Sequence, residues 1–448
     1  MLWFETALLP GGWASGVRIG VTHGRIVQVD AGAEPQPEDE RHAIAIPGLC
    51  NLHSHGFQRG MAGLAEIKGP ADDSFWSWRD VMYRFLYRLS PDHVEAITAL
   101  AYVEMLESGF TRVGEFHYLH HDPSGAPYAD RGEMASRIAA AARDTGIGLT
   151  LLPVFYAHAD FGGAPPLDAQ RRFVSDPDSF GGLLADCRRV AAALEDANVG
   201  IAPHSLRAVT PEELREILPL AQAGPIHIHA AEQTKEVENC LAWLGARPVA
   251  WLFDHAPVDA RWCLVHATHV NPSEIGRMAH SGAVAGLCPV TEANLGDGIF
   301  PAAAYADAGG RIGIGSDSNV LVDAAGEFRL LEYAQRLSLR CRNVLAAGEG
   351  RSTGRSLFDA ALEGGARALG VSAVGLRPGA SADIVTFGRD DCSLAGARGD
   401  SILDGWIFGG ARIDRVWRWG REVVRDGRHR AGGAIRERYR RMLVGLLE

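Results

Sequence analysis

The middle of the chain alternates eight short apolar segments with longer segments of helical periodicity, and this alternation limits the possible folds more than any other feature. The apolar segments are Ala43–Pro47, Arg112–Phe116, Gly148–Phe155, Gly200–Pro203, Pro225–Ala230, Trp262–Ala267, Ala283–Leu287 and Arg311–Gly315. A capping residue followed by proline marks the start of several helices, as at Ser90-Pro91 and Thr210-Pro211. Strands that alternate with helices favour a parallel sheet. Eight such units predict an α/β fold, a (β/α)8 TIM-like barrel with insertions.

Strand-like segments also occur at both ends of the chain, outside the barrel pattern. They are Val17–Val21 and Arg25–Val29 near the N-terminus, and Ala382–Phe387 and Ile413–Val424 near the C-terminus, with Gly420 placed for a hairpin turn. We therefore expect the two ends to pair into one small β-sandwich domain. Three parts are predicted: a small β domain of residues 1–47 and 377–430, a catalytic barrel of residues 48–376, and a C-terminal helix of residues 431–448.

Composition argues against several classes of partner. The 448 residues are 47% hydrophobic, which is enough for a large buried core, and carry a formal net charge of -11. Because basic residues form no long block, we expect neither nucleic acid nor a membrane surface as a partner. No apolar run reaches eighteen residues and the first residues lack a basic leader, so a cytoplasmic protein is expected. The seven cysteines are scattered without a Cys-x-x-Cys pair, which disfavours disulfides and cysteine zinc sites.

Potential metal ligands lie at the ends of several apolar segments. His53 and His55 are one residue apart, so both side chains point to the same side of an extended chain. His229 lies near the end of the fifth segment, and Asp317 follows the eighth. The C-terminal ends of parallel barrel strands meet at one rim, so these four side chains are predicted to hold one metal ion. Singly, the histidine pair could be hydrogen-bonded loop residues and Asp317 could start an Asx-turn; their shared position after strands favours the metal site.

Two further residues suit proton transfer at such a site. Glu232 follows His229 by three residues, and His266 ends the sixth apolar segment. Three imidazoles and one carboxylate leave a coordination position open for water, and a divalent ion lowers the pKa of that water toward ~7. Asp317 would accept the proton of this water, His266 would orient or deprotonate it, and Glu232 would pass a proton to the departing nitrogen. The alternative for His266 is an ordinary core histidine.

The sequence favours a single metal ion, which we expect to be zinc. The third and fourth apolar segments contain no lysine, so a carboxylated lysine that bridges two metals is not expected. His117, His120 and His121 could be considered as a second metal site. We disfavour that interpretation, because adjacent loop histidines usually diverge.

The predicted ligand set, inside an eightfold βα pattern flanked by terminal strands, resembles the mononuclear deaminases of the amidohydrolase superfamily. The similarity spans nearly the whole chain and includes Leu376–Val385, which is similar to the segment that leads back into the small β domain of that superfamily. The resemblance implies a TIM-like barrel with one divalent metal ion, hydrolytic release of ammonia, and a homodimer.

Within the superfamily the chain is most similar to the formimidoylglutamate deiminases of histidine degradation. The similar segments are Asn51–Gly60, Ser74–Arg79, Glu115–His121 and Pro203–Arg207. The resemblance implies metal-dependent deimination of N-formimidoyl-L-glutamate to N-formyl-L-glutamate and ammonia. The predicted substrate-binding residues are Gln58, Arg79, Tyr118, His204 and Arg207.

Two arginines in that set suit a small-molecule dicarboxylate, because the planar guanidinium binds carboxylates with two parallel hydrogen bonds. Each arginine could instead pair with a surface acid. Two other functions stay open at this point: deamination of an aminopurine or another aromatic amine, and a catalytically dead barrel that acts as a binding module. The complete set of predicted ligands and proton-transfer residues speaks against the dead barrel.

Overall fold

The computed structural model describes residues 1–69 and 73–448. Its strands, in chain order, are β1 (Leu2–Leu9), β2 (Gly12–Thr22), β3 (Arg25–Asp30), β4 (Glu40–Pro47), β5 (Leu49–Ser54), β6 (Phe110–His117), β7 (Gly148–Phe155), β8 (Asn198–Val199), β9 (Ala202–Pro203), β10 (Ile226–Ala230), β11 (Trp262–His266), β12 (Val284–Leu287), β13 (Arg311–Ile314), β14 (Ile384–Phe387), β15 (Ile413–Arg418), β16 (Arg421–Arg425) and β17 (Arg428–His429).

Helices connect most of the successive barrel strands. They are α1 (Phe75–Leu86), α2 (Pro91–Ser108), α3 (Glu133–Thr145), α4 (Pro177–Ala191), α5 (Pro211–Ile217), α6 (Thr234–Leu244), α7 (Pro248–His255), α8 (Pro272–Ser281), α9 (Pro289–Leu295), α10 (Ala302–Asp307), α11 (Ala324–Leu339), α12 (Thr353–Ala368), α13 (Ser401–Gly409) and α14 (Gly432–Leu447). The predicted Ser90-Pro91 and Thr210-Pro211 signals do start α2 and α5, and Asn271-Pro272 starts α8 in the same way. In each case the side chain of the capping residue accepts a hydrogen bond from a backbone amide of the first turn. None of the helices described is long and apolar enough to span a bilayer.

The predicted (β/α)8 barrel is confirmed. Parallel pairing runs from β5 through β6 to β7, continues through the short strands β8 and β9, and resumes from β10 to β13. Isolated bridges close the two gaps: Ile201 pairs with Ile226, and Ser54 pairs with Asp317. At the second closure the Asp317 amide donates to the His53 carbonyl at 3.0 Å. The backbone that closes the barrel therefore also joins two predicted metal ligands.

The first barrel strand is not the one predicted. Ala43–Pro47 belongs to β4 in the sheet formed by the chain termini, where it pairs with β1 and β14. The barrel strand is β5, which starts after Gly48 and carries His53 within it. One continuous apolar run contains both strands, and hydrophobicity alone does not separate them. The separation comes from the Pro47-Gly48 pair, where the Gly48 amide donates to the Asp383 carbonyl and the chain leaves one sheet for the other.

Strands from both termini pair into one small sheet, as predicted. Its order is β17-β16-β15-β14-β4-β1-β2-β3, so β4 and β14 join the half from the N-terminus to the half from the C-terminus. A separate apolar cluster under this sheet includes Phe4, Ile19 and Trp417. Trp419 and Gly420, with φ of 54° and 71°, form the hairpin turn between β15 and β16. Two consecutive positive φ values are typical of a type I′ turn, which explains the predicted glycine.

Helix α12 packs directly on the outside of the barrel because it carries two consecutive glycines at the contact. A β-carbon on Gly364 would overlap the carbonyl oxygen of Ile312 in β13. A β-carbon on Gly365 would lie 3.0 Å from the Cys50 Cβ atom in β5. These two strands carry Asp317 and His53 at or beyond their C-terminal ends, so the helix supports the backbone beneath the predicted metal site.

We expect Gly364→Ala to lower the free energy of unfolding by about 2–3 kcal/mol, because the neighbouring atom is backbone and cannot rotate away. The measurement is the urea midpoint of the purified protein. Gly276→Ala is the matched control: it places the same methyl group in helix α8, where no atom lies within 4 Å. The control should be neutral or stabilising by up to about 1 kcal/mol. Equal midpoints for both variants would contradict the close packing of α12.

Candidate active site

Four of the predicted side chains meet at the C-terminal rim of the barrel. The His53 Nε2 atom lies 3.2 Å from His55 Nε2 and 3.1 Å from His229 Nε2. The Asp317 carboxylate is 3.3 Å from His53 Nε2 and 3.2 Å from His55 Nε2. All four side chains are buried. The four side chains therefore bring together nitrogen and oxygen atoms of the kind that zinc and similar ions accept.

The protonation of these histidines fits a bound cation. The Nδ1–H of His55 donates to the Phe116 carbonyl at 2.8 Å, and the Nδ1–H of His229 donates to the His204 carbonyl at 3.1 Å. In a neutral imidazole the opposite Nε2 atom then carries a lone pair. Burial lowers the pKa of His53 to about 3, so this ring is neutral as well. A divalent ion would balance lone pairs that face one another beside a carboxylate at these distances, so the residues fit the predicted metal.

Local backbone geometry holds this arrangement in place. His266 and Asp317 have φ values of 66° and 43°, which are rare for residues other than glycine. The side-chain amide of Asn319 donates to the Ser54 hydroxyl and to the carbonyls of His55 and Asp317, at 3.0–3.1 Å. Strained residues fixed by such contacts cluster at functional sites. Asn319 was not predicted, although it lies only two residues beyond Asp317.

Glu232 and His266 stand on one side of the four ligands. The His266 Nε2 atom lies 3.8 Å from a carboxylate oxygen of Glu232 and 3.8 Å from Asp317 Oδ2. Burial raises the pKa of Glu232 to about 7, so it exchanges protons readily near neutral pH. Burial opposes the charged form of His266, but the nearby carboxylates, led by Glu232, outweigh burial and raise its pKa to about 10. Its three carboxylate neighbours, Glu232, Glu292 and Asp317, distinguish His266 from an ordinary core histidine.

Sequence analysis missed three buried glutamates that support the site, namely Glu115, Glu236 and Glu292. Each accepts a hydrogen bond from a backbone amide: Glu115 from Gly56, Glu236 from Glu232 and Glu292 from Cys288. Glu292 also accepts from His266 Nδ1 at 3.2 Å, which aims the opposite ring nitrogen into the site. No spacing rule marks these residues: Glu236 and Glu292 lie in helical segments, where a lone glutamate ordinarily faces solvent, and Glu115 lies within strand β6.

His117, His120 and His121 do not join the four ligands. Burial lowers the pKa of His120 to about 3, and its Nε2–H donates to the Val154 carbonyl at 2.9 Å. The Nε2–H of His121 donates to the Val174 carbonyl at 2.8 Å. In the described parts of the chain, the groups of side chains close enough to share a metal ion do not include these three histidines.

A cavity beside the four ligands contains all five predicted substrate-binding residues, with Gln58 and Tyr118 next to His55. The Gln58 amide donates to the Tyr118 hydroxyl at 2.7 Å, and the Gln58 oxygen has no partner in the residues described. The ring of His204 lines the cavity, while its carbonyl orients His229. His204 thus has a positioning contact in addition to the predicted place at the substrate.

The two arginines in the cavity are not neutralised by a close acid. Arg207 is buried, and its nearest carboxylate, Glu232, is 4.0 Å away. Arg79 makes no ion pair within the residues that the structure describes, and its guanidinium lies 4.5 Å from the centre of the Trp76 ring. The Nε atoms of both arginines are buried without a hydrogen-bond acceptor in the same residues. A guanidinium group with only a long ion-pair contact at Arg207, beside Arg79 with none in the described residues, leaves the cavity suited to an anion.

The cavity also contains aromatic residues that sequence analysis did not identify, including Tyr83, Tyr156 and Phe173. Tyr156 directly follows β7, so its position after the third barrel strand was a usable signal. Tyr83 lies on α1 and Phe173 in the long connection after β7, where no periodic pattern points toward the site.

Comparisons with known proteins agree with this geometry. The profile of the amidohydrolase family matches residues 44–419, and the profile of the formimidoylglutamate deiminase HutF N-terminal domain matches residues 2–43. Formimidoylglutamate deiminase from Pseudomonas aeruginosa is 49% identical over 99% of this chain and 98% of its own length. An 8-oxoguanine deaminase from the same organism is 31% identical over 91% of this chain and 89% of its own length. The crystal structure of an amidohydrolase from Brucella melitensis is 56% identical, with a TM-score of 0.97 over 100% of this chain and 99% of that one.

Proposed function

Because the chain belongs to the amidohydrolase family and, within it, to the formimidoylglutamate deiminases, we propose that it hydrolyses N-formimidoyl-L-glutamate to N-formyl-L-glutamate and ammonia. The enzyme is a hydrolase that acts on a carbon–nitrogen bond of a linear amidine. The reaction belongs to histidine degradation, as the resemblance to this family implies.

The metal centre consists of His53, His55, His229 and Asp317, whose ligand atoms lie within 4.8 Å of one another. Three neutral imidazoles and one carboxylate suit zinc, which we propose as the metal, with one ion per chain. A divalent ion bound there supplies Lewis-acid activation of water.

Three side chains move and balance protons in the proposed reaction. Asp317 takes a proton from the attacking water, because its carboxylate is held at the metal centre next to His266. His266 points its Nε2 atom toward Glu232 and Asp317 and, in its protonated form, stabilises negative charge that develops on oxygen in the transition state. Glu232 carries a proton to the departing nitrogen, for which a pKa of about 7 is well matched.

The choice of substrate rests on two arginines in the cavity beside the metal ligands, Arg79 and Arg207, neither of which forms a close ion pair within the described residues. A dicarboxylate supplies two anions to two guanidinium groups, and Arg207 lies on the Glu232 side of the cavity. Gln58 and Tyr118 add amide and hydroxyl groups near His55. A flat neutral purine would offer no carboxylate to either guanidinium group, at a cost in binding.

We expect Arg207→Lys to raise KM for N-formimidoyl-L-glutamate by about 30-fold with a smaller change in kcat, because lysine cannot form the paired hydrogen bonds. Steady-state ammonia release measures both constants. Arg215→Lys is the control, since Arg215 is exposed on α5 and its one ion pair within residues 1–69 and 73–448 is with Glu212 at the surface. Wild-type kinetic constants for Arg207→Lys would remove this residue from the substrate site.

The proposed substrate is tested against the alternative of aromatic amines by comparing kcat/KM for N-formimidoyl-L-glutamate, guanine and 8-oxoguanine. We expect turnover of the linear amidine at least about 10³-fold more efficient than turnover of either purine, because the missing carboxylates leave buried polar groups unpaired. Preferred turnover of a purine would overturn the assignment of substrate and keep the fold and metal centre. The homodimer and the cytoplasmic location stay predictions.

A further inference from the structure

Gln170, which is fully buried, joins two of the tyrosines that sequence analysis missed. Its Nε2 atom donates to the Tyr83 hydroxyl at 3.1 Å and to the Tyr156 hydroxyl at 2.8 Å. Its Oε1 atom accepts from the Leu167 amide at 2.8 Å. Because a backbone amide can only donate, this contact fixes which end of the Gln170 side chain faces the tyrosines.

This arrangement determines the direction of both hydroxyl groups. Each tyrosine oxygen accepts one hydrogen from the Gln170 amide, so the hydrogen of each hydroxyl points away from Gln170, toward the other tyrosine or into the cavity. Burial, followed by the neighbouring Tyr83 hydroxyl, raises the pKa of Tyr156, which therefore stays protonated at neutral pH. Each hydroxyl therefore keeps a hydrogen that can be donated to a molecule in the cavity.

The two hydroxyl-bearing rings stand beside the arginines. The Arg79 guanidinium lies 5.5 Å from the centre of the Tyr83 ring. Burial and Tyr83 raise the pKa of Tyr156, whereas the positive charges of Arg207 and Arg79 lower it. Phe173 packs behind both tyrosines, with ring centres 6.2 Å from Tyr83 and 5.6 Å from Tyr156. All of these side chains except Gln170 line the cavity, and Gln170 lies behind it.

We propose that Tyr83 and Tyr156, oriented by Gln170, donate hydrogen bonds to one carboxylate of the substrate and complete an anion site with the arginines. The inference rests on the proposed function and adds two specificity-determining residues and one positioning residue to it. Hydroxyl donors next to guanidinium groups favour a carboxylate over a neutral amide or a ring nitrogen, because charge-assisted hydrogen bonds are the stronger ones.

The first test is steady-state kinetics of Tyr83→Phe and Tyr156→Phe with N-formimidoyl-L-glutamate. Each variant removes one hydroxyl and keeps the ring, so KM should rise by about 10-fold while kcat stays within about 2-fold, as expected for a lost hydrogen bond to a charged group. Unchanged KM in both variants would overturn the proposal. An equal fall of kcat with unchanged KM would also overturn it, because that result indicates a role in the chemical step.

Two monocarboxylate analogues identify the group that the tyrosines contact. One analogue lacks the α-carboxylate of the substrate and the other lacks the side-chain carboxylate. The Tyr→Phe variants should be impaired on one analogue and equal to wild type on the other, because only one carboxylate receives the hydroxyl hydrogens. Equal losses on both analogues would indicate a general distortion of the cavity and overturn the proposal.

Gln170→Glu tests the positioning role. A carboxylate accepts from both hydroxyls, turns their hydrogens away from the cavity and adds a negative charge near the substrate, so KM should rise by about 100-fold or more. Gln170→Met cannot donate a hydrogen bond and adds no charge, so its effect on KM should be smaller than that of Gln170→Glu. A purely structural role predicts instead that both variants lower the thermal midpoint and impair all three substrates alike.

Direct binding separates failure of this inference from failure of the proposed function. Glutarate carries two carboxylates and no scissile bond, and its Kd can be measured by calorimetry in the metal-loaded protein. If wild type does not turn over N-formimidoyl-L-glutamate, the proposed function fails. A 10-fold higher Kd for glutarate in Tyr83→Phe and Tyr156→Phe would still support the anion site. Glutarate binding that both variants retain at full strength would overturn the site itself.

Discussion

Glu232→Gln is expected to lower kcat for N-formimidoyl-L-glutamate by about 10³-fold while one metal ion stays bound per chain. The amide occupies the same space as the carboxyl group but cannot take up and release a proton. Glu232 is not among the four convergent ligands, so its loss leaves the metal centre complete. The measurement combines ammonia release with elemental analysis of the same sample.

Glu238→Gln is the control for Glu232→Gln, because Glu238 is an exposed glutamate on α6 in the same part of the chain. It should keep wild-type kcat and wild-type metal content. A Glu232→Gln enzyme with more than about a third of the wild-type kcat would show that the proton reaches the departing nitrogen by another route.

His229→Ala is expected to lose the metal ion and the activity together. The variant removes one of three nitrogen ligands, and the remaining His53, His55 and Asp317 hold the ion less tightly. The ion supplies several kcal/mol of transition-state stabilisation, so its loss should reduce kcat/KM by about 10³-fold or more. Metal content after dialysis and ammonia release are measured on one preparation.

His280→Ala is the control for His229→Ala, since His280 is an exposed histidine on α8 whose ring is hydrogen-bonded to the Gly276 carbonyl of the same helix. This variant should retain one metal ion and full activity. A His229→Ala protein that keeps a full equivalent of metal and more than a tenth of its activity would place the metal outside the proposed centre.

Much of the site could be predicted from the residues that follow the short apolar segments of the sequence. Parallel strands meet at one rim, so residues that follow short apolar runs are brought together whatever their separation in sequence. This reasoning located His53, His229, His266 and Asp317, which span more than half of the chain. It also explains why Tyr156, directly after β7, could have been included.

The same reasoning fails where a contact depends on side chains outside the strand ends. Glu292 reaches His266 from α9, and Gln170 reaches two tyrosines from a single turn in a long connection. Their sequence surroundings do not differ from those of solvent-facing residues. The strand boundary at Pro47-Gly48 was missed for a different reason, since two sheets share one apolar run there.

The most direct test of the account is a zinc titration of metal-free protein, followed by ammonia release from N-formimidoyl-L-glutamate. The metal-free protein should be inactive, and activity should rise linearly to a plateau at one equivalent of zinc per chain, with N-formyl-L-glutamate as the product. Full activity without metal, or no release of ammonia at any zinc ratio, would contradict metal-dependent deimination at this site.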